Sequence, residues 1–358
     1  MTPLAWAKIN SAALAANLER LREVAPGCRT LAVIKADAYG HGAVTAAAAL
    51  NRADAFGVAR AEEAETLREA GVSTPIVLLE GIAHAQDLDW AASRELELVV
   101  HSFPQLEMLE AWKGRQSFRV WLKLDTGMGR LGFYAREAQE ALQRVQGCAA
   151  IAAPLRLMTH LACAEERDNA KTTQQIAAFD DLTQGVAAER SIANSAGILA
   201  WPASHAQWIR PGIALYGVSP FEDSLGSDFG LEPVMAFSSR IISIKTLAAG
   251  ETVGYGATWQ AGAETRAGIV AVGYGDGYPR HVEQGTPVLV NGREVPLIGR
   301  VSMDMLAVDL GNAADASVGD PVVLWGDGLA VERVAARSAT IPYELLCGVS
   351  QRVPRIVV

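Results

Sequence analysis

The chain has 358 residues, half of them apolar, with a formal net charge of −9 at pH 7 and a sequence pI of about 5.3. A chain of this length can bury a large core and is long enough for two domains. The acidic balance argues against a nucleic-acid partner, which would need a basic face.

The four cysteines are scattered along the chain without a CxxC pair: Cys28, Cys148, Cys163 and Cys347. This spacing favours free thiols in a reducing compartment over a disulfide framework or a zinc site. The N-terminus lacks the basic region and apolar core of a signal peptide, and no run of 18 apolar residues predicts a transmembrane helix. We therefore expect a cytoplasmic protein with no membrane partner and no metal.

From about Ser11 to Gly217, short apolar runs alternate with amphipathic stretches, and Ser11 can cap the first helix. Eight runs are typical of buried strands: Leu31–Ile34, Ala55–Ala59, Pro75–Leu79, Leu96–Val100, Phe118–Leu124, Leu155–Leu161, Ser191–Ala193 and Trp208–Ile209. Eight strands alternating with helices predict an α/β fold, a (β/α)8 barrel of the TIM type, over residues 10–228. A doubly wound open sheet is the alternative.

Near Phe229 the pattern changes, and strand-like runs follow one another without helices between them. In the run Val288–Val295, the dipeptide Asn291-Gly292 predicts a hairpin with a type I′ turn. Further strands are predicted at Gly268–Val272, Met305–Leu310 and Pro321–Leu324. The sequence therefore predicts a C-terminal, mainly β domain over residues 229–358.

In a (β/α)8 barrel, functional groups lie at the C-terminal ends of the strands. Here those ends carry five polar or charged positions: Lys35, Lys123, His160, Asn194-Ser195 and Arg210. Any one of them could be a capped strand end or a surface charge, but five among eight strands exceed what packing requires. We therefore predict the functional site at this face of the barrel.

Lys35 closes a wholly apolar strand and opens the turn that runs from Ala36 to Gly42. A lysine at the end of a buried strand is a candidate Schiff-base former, because partial burial favours its neutral, nucleophilic amine. The alternative is a lysine whose stem lies in the barrel wall and whose amine reaches water.

Six blocks of the sequence together resemble the alanine racemases, and the resemblance extends over essentially the whole chain. The blocks are Ala32–Gly42, Leu122–Arg130, Arg210–Gly217, Val253–Gly256, Val272–Gly277 and Gly299–Asp304. The resemblance implies an enzyme that uses pyridoxal 5'-phosphate to interconvert L-alanine and D-alanine. It also implies a barrel followed by a β domain, with residues 1–9 packing on the β domain.

The resemblance further implies a homodimer with its active sites at the interface, and two groups that move protons. Lys35 anchors the cofactor and serves the face of the D enantiomer, whereas Tyr255 of the partner subunit serves the face of the L enantiomer. His160 is implied to lie beside this tyrosine, with Arg210 beyond it and opposite the cofactor's ring nitrogen. Taken alone, Tyr255 could equally be an aromatic residue in a β-turn.

The remaining cofactor contacts are also taken from the resemblance. Hydroxyl and backbone donors around a phosphate dianion are a common solution, and the implied set is Tyr39, Ser195, Gly212, Ile213 and Tyr343, with Asn194 beside them. Arg130 is implied to reach the cofactor's phenolic oxygen and the substrate carboxylate.

Lys123 matches a position that is carbamylated in many relatives, where the carbamate could pair with Arg130. An unmodified lysine paired with a bound anion is the alternative. Tyr274, Tyr343 and Met303 are implied to narrow the substrate entrance, which suits a methyl side chain. The backbone of Met303 is implied to help bind the substrate carboxylate, and Asp304 to orient this segment.

Two other functions share parts of this pattern. One is a pyridoxal-phosphate-dependent decarboxylase of the same architecture, against which Arg210 and the Tyr255 block argue. The other is a non-catalytic protein that binds the same cofactor on a barrel alone, against which the long β domain argues.

Overall fold

The computed structural model describes residues 3–358, so two residues of the predicted N-terminal segment, Met1 and Thr2, lie outside it. By its internal contacts the chain divides into two compact units. The barrel unit consists of Ala15–Ala38 and Ala43–Leu215, and the β unit consists of the residues up to Leu14, Tyr39–Gly42 and Tyr216–Val358. The domain boundary predicted at residue 228 stays a prediction.

Eight parallel strands close into a barrel, which confirms the predicted (β/α)8 architecture and rules out the open sheet. After an N-terminal strand, β1 (Trp6–Ile9), the barrel strands are β2 (Arg29–Val33), β3 (Ala55–Val58), β4 (Ile76–Leu78), β5 (Leu96–Val100), β6 (Phe118–Lys123), β7 (Ile151–Met158), β8 (Glu189–Ser191) and β9 (Trp208–Ile209). Pairing of β9 with β2 closes the ring.

Helices separate these strands along the chain. They are α1 (Ser11–Val24), α2 (Lys35–Gly40), α3 (Ala43–Ala49), α4 (Ala61–Glu69), α5 (Leu88–Ser93), α6 (Phe103–Ala111), α7 (Ala135–Gly147), α8 (Ala170–Thr183) and α9 (Ser195–Ala200). Among them, α2 is unusual because it is a single turn of left-handed backbone.

A buried ionic layer crosses the barrel. Arg156 on β7 donates hydrogen bonds to the carboxylates of Glu97 on β5 and Glu189 on β8. Its guanidinium also lies over two indole rings, 4.9 Å from the centre of Trp121 and 4.7 Å from that of Trp208. Barrels of this class are usually filled by branched aliphatic side chains, so charge and aromatic rings here replace part of the ordinary core.

This layer explains why β8 begins earlier than predicted. The sequence indicated a start at Ser191, since Glu189 and Arg190 are unlike strand residues. In the structure the Glu189 carboxylate is engaged by Arg156 and by the Trp208 ring N–H, at 3.0 and 2.9 Å. A charged residue is therefore accommodated within the strand because its partners lie on the neighbouring strands.

The β unit contains nine further strands: β10 (Met235–Leu247), β11 (Thr252–Val253), β12 (Trp259–Gln260), β13 (Thr265–Val270), β14 (Pro287–Val290), β15 (Arg293–Ile298), β16 (Leu306–Asp309), β17 (Pro321–Trp325) and β18 (Arg355–Val357). Its main sheet has the order β13-β16-β15-β14-β17-β10-β1-β18, with an additional β13–β10 pairing. The unit also contains the helices α10 (Val331–Ala336) and α11 (Pro342–Gly348). Strand β1 pairs antiparallel with β10, so that Ile9 lies opposite Met235.

The predicted hairpin is confirmed in β14 and β15, where Val290 pairs with Arg293. Asn291 and Gly292 have φ values of 49° and 75°, as a type I′ turn requires. The longest strand, β10, was not individually predicted, because serine and arginine residues interrupt its apolar pattern.

No helix within residues 3–358 is long and apolar enough to cross a membrane. The same residues contain no group of three His, Cys, Asp or Glu side chains placed to hold a metal ion. All four cysteines are free.

Candidate active site

The structure places the predicted barrel residues at the carboxyl ends of four strands and just beyond a fifth. Lys35 follows β2, Lys123 ends β6, His160 follows β7 and Arg210 follows β9, while Asn194 and Ser195 follow β8. Parallel strands of a barrel end at one face. The barrel therefore brings these side chains to a common face.

Positive charge is concentrated at this face. The pKa of His160 lies well below its usual value, first because the ring is desolvated and then because four cations act on it: Arg210, Lys123, Arg130 and Lys35. His160 is therefore neutral at pH 7. We call these four side chains the four-cation cluster, and their mutual repulsion suits the face to a strongly anionic ligand.

The ionisation of Lys123 is also shifted by burial and by the neighbouring cations. Burial, followed by the charges of Arg210 and Arg130, lowers the pKa of Lys123 from 10.5 to about 8, and Asp125 opposes the shift. Its side chain is only 9% exposed. A substantial fraction of this amine is therefore neutral near pH 8.

Arg210 is buried and fixed by hydrogen bonds. Its Nη1 donates to Ser191 Oγ at 2.7 Å, and its Nη2 donates to the carbonyl oxygens of Thr159 and Ile192 at 2.5 and 3.2 Å. Burial lowers the pKa of Arg210 to about 10, so it stays cationic at pH 7. Among residues 3–358, the hydrogen bonds of Arg210 all involve Nη1 and Nη2, and none involves its Nε–H.

The same guanidinium lies next to the ring of His160 and favours one of its tautomers. Arg210 Nη2 lies 3.5 Å from His160 Nδ1. An arginine nitrogen can only donate, so this contact favours the neutral tautomer that presents its Nδ1 lone pair to Arg210 and carries its proton on Nε2. His160 can therefore donate from Nε2 while remaining uncharged.

The backbone after Lys35 is strained. Four consecutive non-glycine residues have φ values between 51° and 54°, followed by Gly40 at 81°: Ala36, Asp37, Ala38 and Tyr39. Left-handed helical backbone costs roughly 1–2 kcal/mol for each such residue. Strain of this kind is retained where the surrounding structure enforces it, and it concentrates at functional sites.

The predicted phosphate ligands of the barrel unit are arranged around Ser195. Its buried Oγ accepts the N–H groups of Gly212 and Ala214 at 2.9 and 3.3 Å. The Gly212 N–H, which we expected to face a phosphate, is thus bonded to Ser195, whose own O–H can donate onward. Asn194 Oδ1 caps α9 through the Gly197 N–H at 2.9 Å, which fixes the start of the helix that carries Ser195.

Ile213 begins a short 3-10 turn, Ile213–Tyr216. The first N–H groups of a helical segment have no partner within it. In the β unit, the rings of Tyr39 and Tyr343 lie 5.9 Å apart, so two of the predicted phosphate ligands are neighbours. Burial raises the pKa of Tyr39, so its hydroxyl keeps the proton that it would donate.

Tyr255 lies on the surface of the β unit, with 67% of its area exposed. It is flanked by Gly254 and Gly256, whose φ values of 81° and 73° form a tight turn that projects the ring. Tyr274 and Met303 are also exposed. The predicted base and the predicted substrate-enclosing residues are therefore all accessible in a single chain.

The chain is similar to known proteins over nearly its whole length. The family model of the alanine racemase N-terminal domain matches residues 9–220, and that of the C-terminal domain matches residues 234–357. An alanine racemase of Shewanella amazonensis is 52% identical over 359 aligned positions, which cover 99% of each chain. The chain belongs to the alanine racemase family.

Solved structures of the alanine racemase family match over the full length. The crystal structure of biosynthetic alanine racemase from Pseudomonas aeruginosa has a TM-score of 0.97 at 44% identity, covering 100% of both chains. An alanine racemase from Bartonella henselae, described with covalently bound pyridoxal phosphate, has a TM-score of 0.90 at 30% identity, again covering 100% of both chains.

Two residues of this alanine racemase family member support the site but were not predicted individually. Asp125 accepts the N–H groups of Gly127, Met128 and Gly129 at 2.8–3.1 Å, which folds the loop that leads to Arg130. An aspartate followed by glycines is typical of a turn, so the sequence pattern could have indicated that Asp125 folds this loop. These bonds hold the Asp125 carboxylate in place, and its negative charge opposes the lowering of the Lys123 pKa without reversing it.

The second such residue is Arg352 in the β unit. Its Nε donates to Asp276 Oδ1 and its Nη2 donates to Asp304 Oδ1, both at 2.8 Å. It therefore joins the turn that follows Tyr274 to the segment Met303-Asp304. These residues are distant in sequence, and no local pattern could have revealed the link.

Proposed function

We propose that the chain is a cytoplasmic, homodimeric enzyme that interconverts L-alanine and D-alanine with pyridoxal 5'-phosphate. The observation that carries the proposal is the four-cation cluster around a neutral His160, with Lys35 among the cations. A cofactor with a phosphate dianion and a substrate with a carboxylate supply the negative charge that this face of the barrel lacks. Membership of the alanine racemase family supports the same conclusion.

The residues present fit this cofactor. Lys35 provides the amine for covalent attachment, and the hydroxyls of Tyr39, Ser195 and Tyr343 provide neutral donors for the phosphate. The N–H of Ile213 adds a backbone donor, and Gly212 and Asn194 fix the position of Ser195. Arg130 is assigned to the phenolic oxygen of the cofactor and to the substrate carboxylate.

Pyridoxal phosphate supplies an electron sink that makes the α-proton of bound alanine removable. We assign the Nε–H of Arg210 to the ring nitrogen. Because Arg210 keeps its proton at pH 7, it donates a hydrogen bond and leaves that nitrogen unprotonated. Such a contact from Arg210 would weaken the electron sink of the cofactor and would thereby disfavour transamination.

Inversion at the α-carbon requires one proton-transfer group on each face. We assign Lys35 to the face of D-alanine and Tyr255 of the partner subunit to the face of L-alanine. A tyrosine acts as a base more readily when a cation stabilises its phenolate. Since His160 is neutral, we assign this charge to Arg210, which polarises the imidazole through its Nδ1.

Selectivity for a small side chain is assigned to the residues of the β unit. Tyr274, Tyr343 and Met303 narrow the substrate entrance, and the backbone of Met303 binds the carboxylate. Asp304, tied to Arg352, orients this segment. Serine is only one oxygen larger than alanine, so weak turnover of serine is expected.

We further propose that Lys123 is carbamylated. Its neutral amine, available because its pKa is about 8, attacks the carbon of CO2, forms an N–C bond and releases one proton. The resulting anion would pair with Arg130 and relieve repulsion in the four-cation cluster. Native mass spectrometry with and without bicarbonate tests this assignment.

The decisive experiment for the function is a racemisation assay with D-alanine and L-alanine, with serine, lysine and arginine as competing substrates. We expect turnover of both alanine enantiomers, and loss of activity in Lys35→Ala. Release of CO2 from lysine or arginine, without alanine racemisation, would instead show a decarboxylase. Cofactor binding without turnover of any amino acid would show a non-catalytic protein.

A further inference from the structure

A carboxylate outside the sequence blocks described above is bonded to the turn that begins at Lys35. Glu63 lies in the first turn of α4, and its Oε1 accepts the N–H of Ala36 at 2.5 Å. Its Oε2 accepts the N–H groups of Ala59 and Arg60 at 2.8 and 3.1 Å. One side chain therefore joins the end of β3 and the start of α4 to the residue that follows Lys35.

The bonded group is the first peptide N–H after Lys35. This peptide leads into the left-handed backbone of Ala36, Asp37 and Ala38, which alanine and aspartate do not adopt readily. The turn is closed further on, where the Ala38 N–H donates to the Ile34 carbonyl at 2.9 Å. Charged acceptors make stronger hydrogen bonds than neutral ones, so the Glu63 carboxylate is well suited to keep this peptide in place.

We propose that Glu63 is a positioning residue, which fixes the peptide plane after Lys35 and thereby the direction in which the lysine side chain leaves the backbone. The proposal rests on the proposed function of Lys35 as the cofactor's anchor. Glu63 itself is assigned no contact with substrate or cofactor. Its effect is exerted through the backbone that carries the amine.

The substitution Glu63→Gln tests this role with little change in shape. A carboxylate can accept on both oxygens, whereas an amide accepts on one and donates from the other end. Glutamine must therefore abandon either the Ala36 N–H or the pair formed by Ala59 and Arg60.

Glu137→Gln is the matched control. Glu137 occupies the equivalent position in α7 and accepts the Tyr134 N–H through one oxygen, at 2.9 Å. The amide oxygen of glutamine can replace that oxygen. Both variants remove one negative charge from the first turn of a helix, but only Glu63→Gln disturbs the turn after Lys35.

Three properties should be measured on the full-length chain. They are deuterium exchange of peptides covering residues 34–38 without cofactor, affinity for pyridoxal phosphate, and kcat and KM for both alanine enantiomers. For Glu63→Gln we expect exchange in this segment and the dissociation constant of the cofactor each to rise about tenfold, the change expected from losing one charge-assisted hydrogen bond. We expect kcat to fall while KM for alanine changes little, and Glu137→Gln to behave as wild type.

Equal behaviour of the two variants in exchange, cofactor affinity and kcat would overturn the proposal and leave Glu63 a helix cap. Should Glu63→Gln fail to fold, the rate of hydrogen exchange at the Ala36 amide of the wild-type chain tests the hydrogen bond to Glu63 instead. Protection supports the bond to Glu63, and exchange at the rate of an open peptide refutes it. Borohydride trapping of the cofactor on another lysine would refute the function proposed for Lys35, whereas the exchange result would still report on Glu63.

Discussion

At the scale of one residue, Lys123 shows that the site brings together positive charges that repel one another. It is almost fully buried, the charges of Arg210 and Arg130 act on it, and Asp125, which opposes them, also accepts hydrogen bonds from the backbone of a loop. The folded chain therefore resists protonation of this amine. The ionisation of Lys123 should in consequence be visible in the stability of the protein.

The direction of this effect follows from the two pKa values. The pKa of Lys123 is about 8 in the folded chain, against an ordinary value of 10.5. Between these values the unfolded chain retains a proton that the folded chain has lost, so stability rises with pH in this window. We predict that the free energy of unfolding of the cofactor-free wild type rises from pH 8 to pH 10.5 relative to that of Lys123→Met.

Urea denaturation of both proteins in CO2-free buffer measures this difference. Below pH 8 both states bind the proton, so the difference should level off there. A difference that stays constant across the whole range would show that Lys123 titrates normally.

At the scale of one element, the left-handed turn α2 carries the strain of the site. Ala36 is exposed, so replacing it with glycine removes a methyl group that is in contact with solvent rather than with the core. The same substitution relieves an unfavourable φ of 54°. We predict that Ala36→Gly raises the free energy of unfolding by about 1 kcal/mol, because the relieved strain exceeds the extra entropy of the unfolded glycine.

Ala177→Gly is the control for this prediction. Ala177 is an exposed residue inside the right-handed helix α8, where glycine should lower stability by about 1 kcal/mol. Chemical denaturation of both variants measures whether each substitution raises or lowers the free energy of unfolding. A loss of stability in Ala36→Gly as large as that in Ala177→Gly would contradict the strain assigned to α2.

The same turn shows how far the sequence could predict the site. The barrel strands were predicted because buried parallel strands are continuous apolar runs with clear ends. The place of Lys35 at such an end made it a candidate Schiff-base former, and the resemblance to the alanine racemases implied its role as the anchor of the cofactor. The handedness of the turn did not, because Ala36 and Ala38 have no intrinsic preference for left-handed backbone. Bonds between distant residues, such as those of Glu63 and Arg352, likewise leave no local pattern.

Across the barrel as a whole, the ionic layer around Arg156 should contribute strongly to stability. Its removal would take from Glu97 and Glu189 the buried cation that they share and leave them only their partly exposed partners, Arg119 and Arg29. We predict that Arg156→Met lowers the free energy of unfolding by about 3–5 kcal/mol. The exposed pair of Arg293 and Asp315 provides the control. Arg293→Met should change the free energy of unfolding by less than about 1 kcal/mol.

Thermal and urea unfolding of both variants measure these effects. Addition of Glu97→Gln to Arg156→Met should recover part of the loss, because it removes a buried charge that has lost its closer cation. If Arg156→Met were no more destabilising than Arg293→Met, the layer would be a solvated ion pair rather than part of the barrel core.

At the scale of the whole molecule, the central proposal is that two chains share each active site. In one chain Tyr255 lies exposed in the β unit, whereas Lys35 belongs to the barrel unit. Opposite faces of a planar intermediate must be served from opposite sides. A two-fold symmetric dimer achieves this when each chain lends its tyrosine to the other.

The most direct test mixes two inactive proteins, Lys35→Ala and Tyr255→Phe. If Tyr255 acts across the interface, each mixed dimer has one site with both lesions and one site with neither. An equal, freely exchanging mixture should then recover about a quarter of wild-type racemase activity, since half of the dimers are mixed and each has one intact site. If the mixture stays inactive although mass spectrometry shows that mixed dimers have formed, Tyr255 serves its own chain and the shared site is refuted.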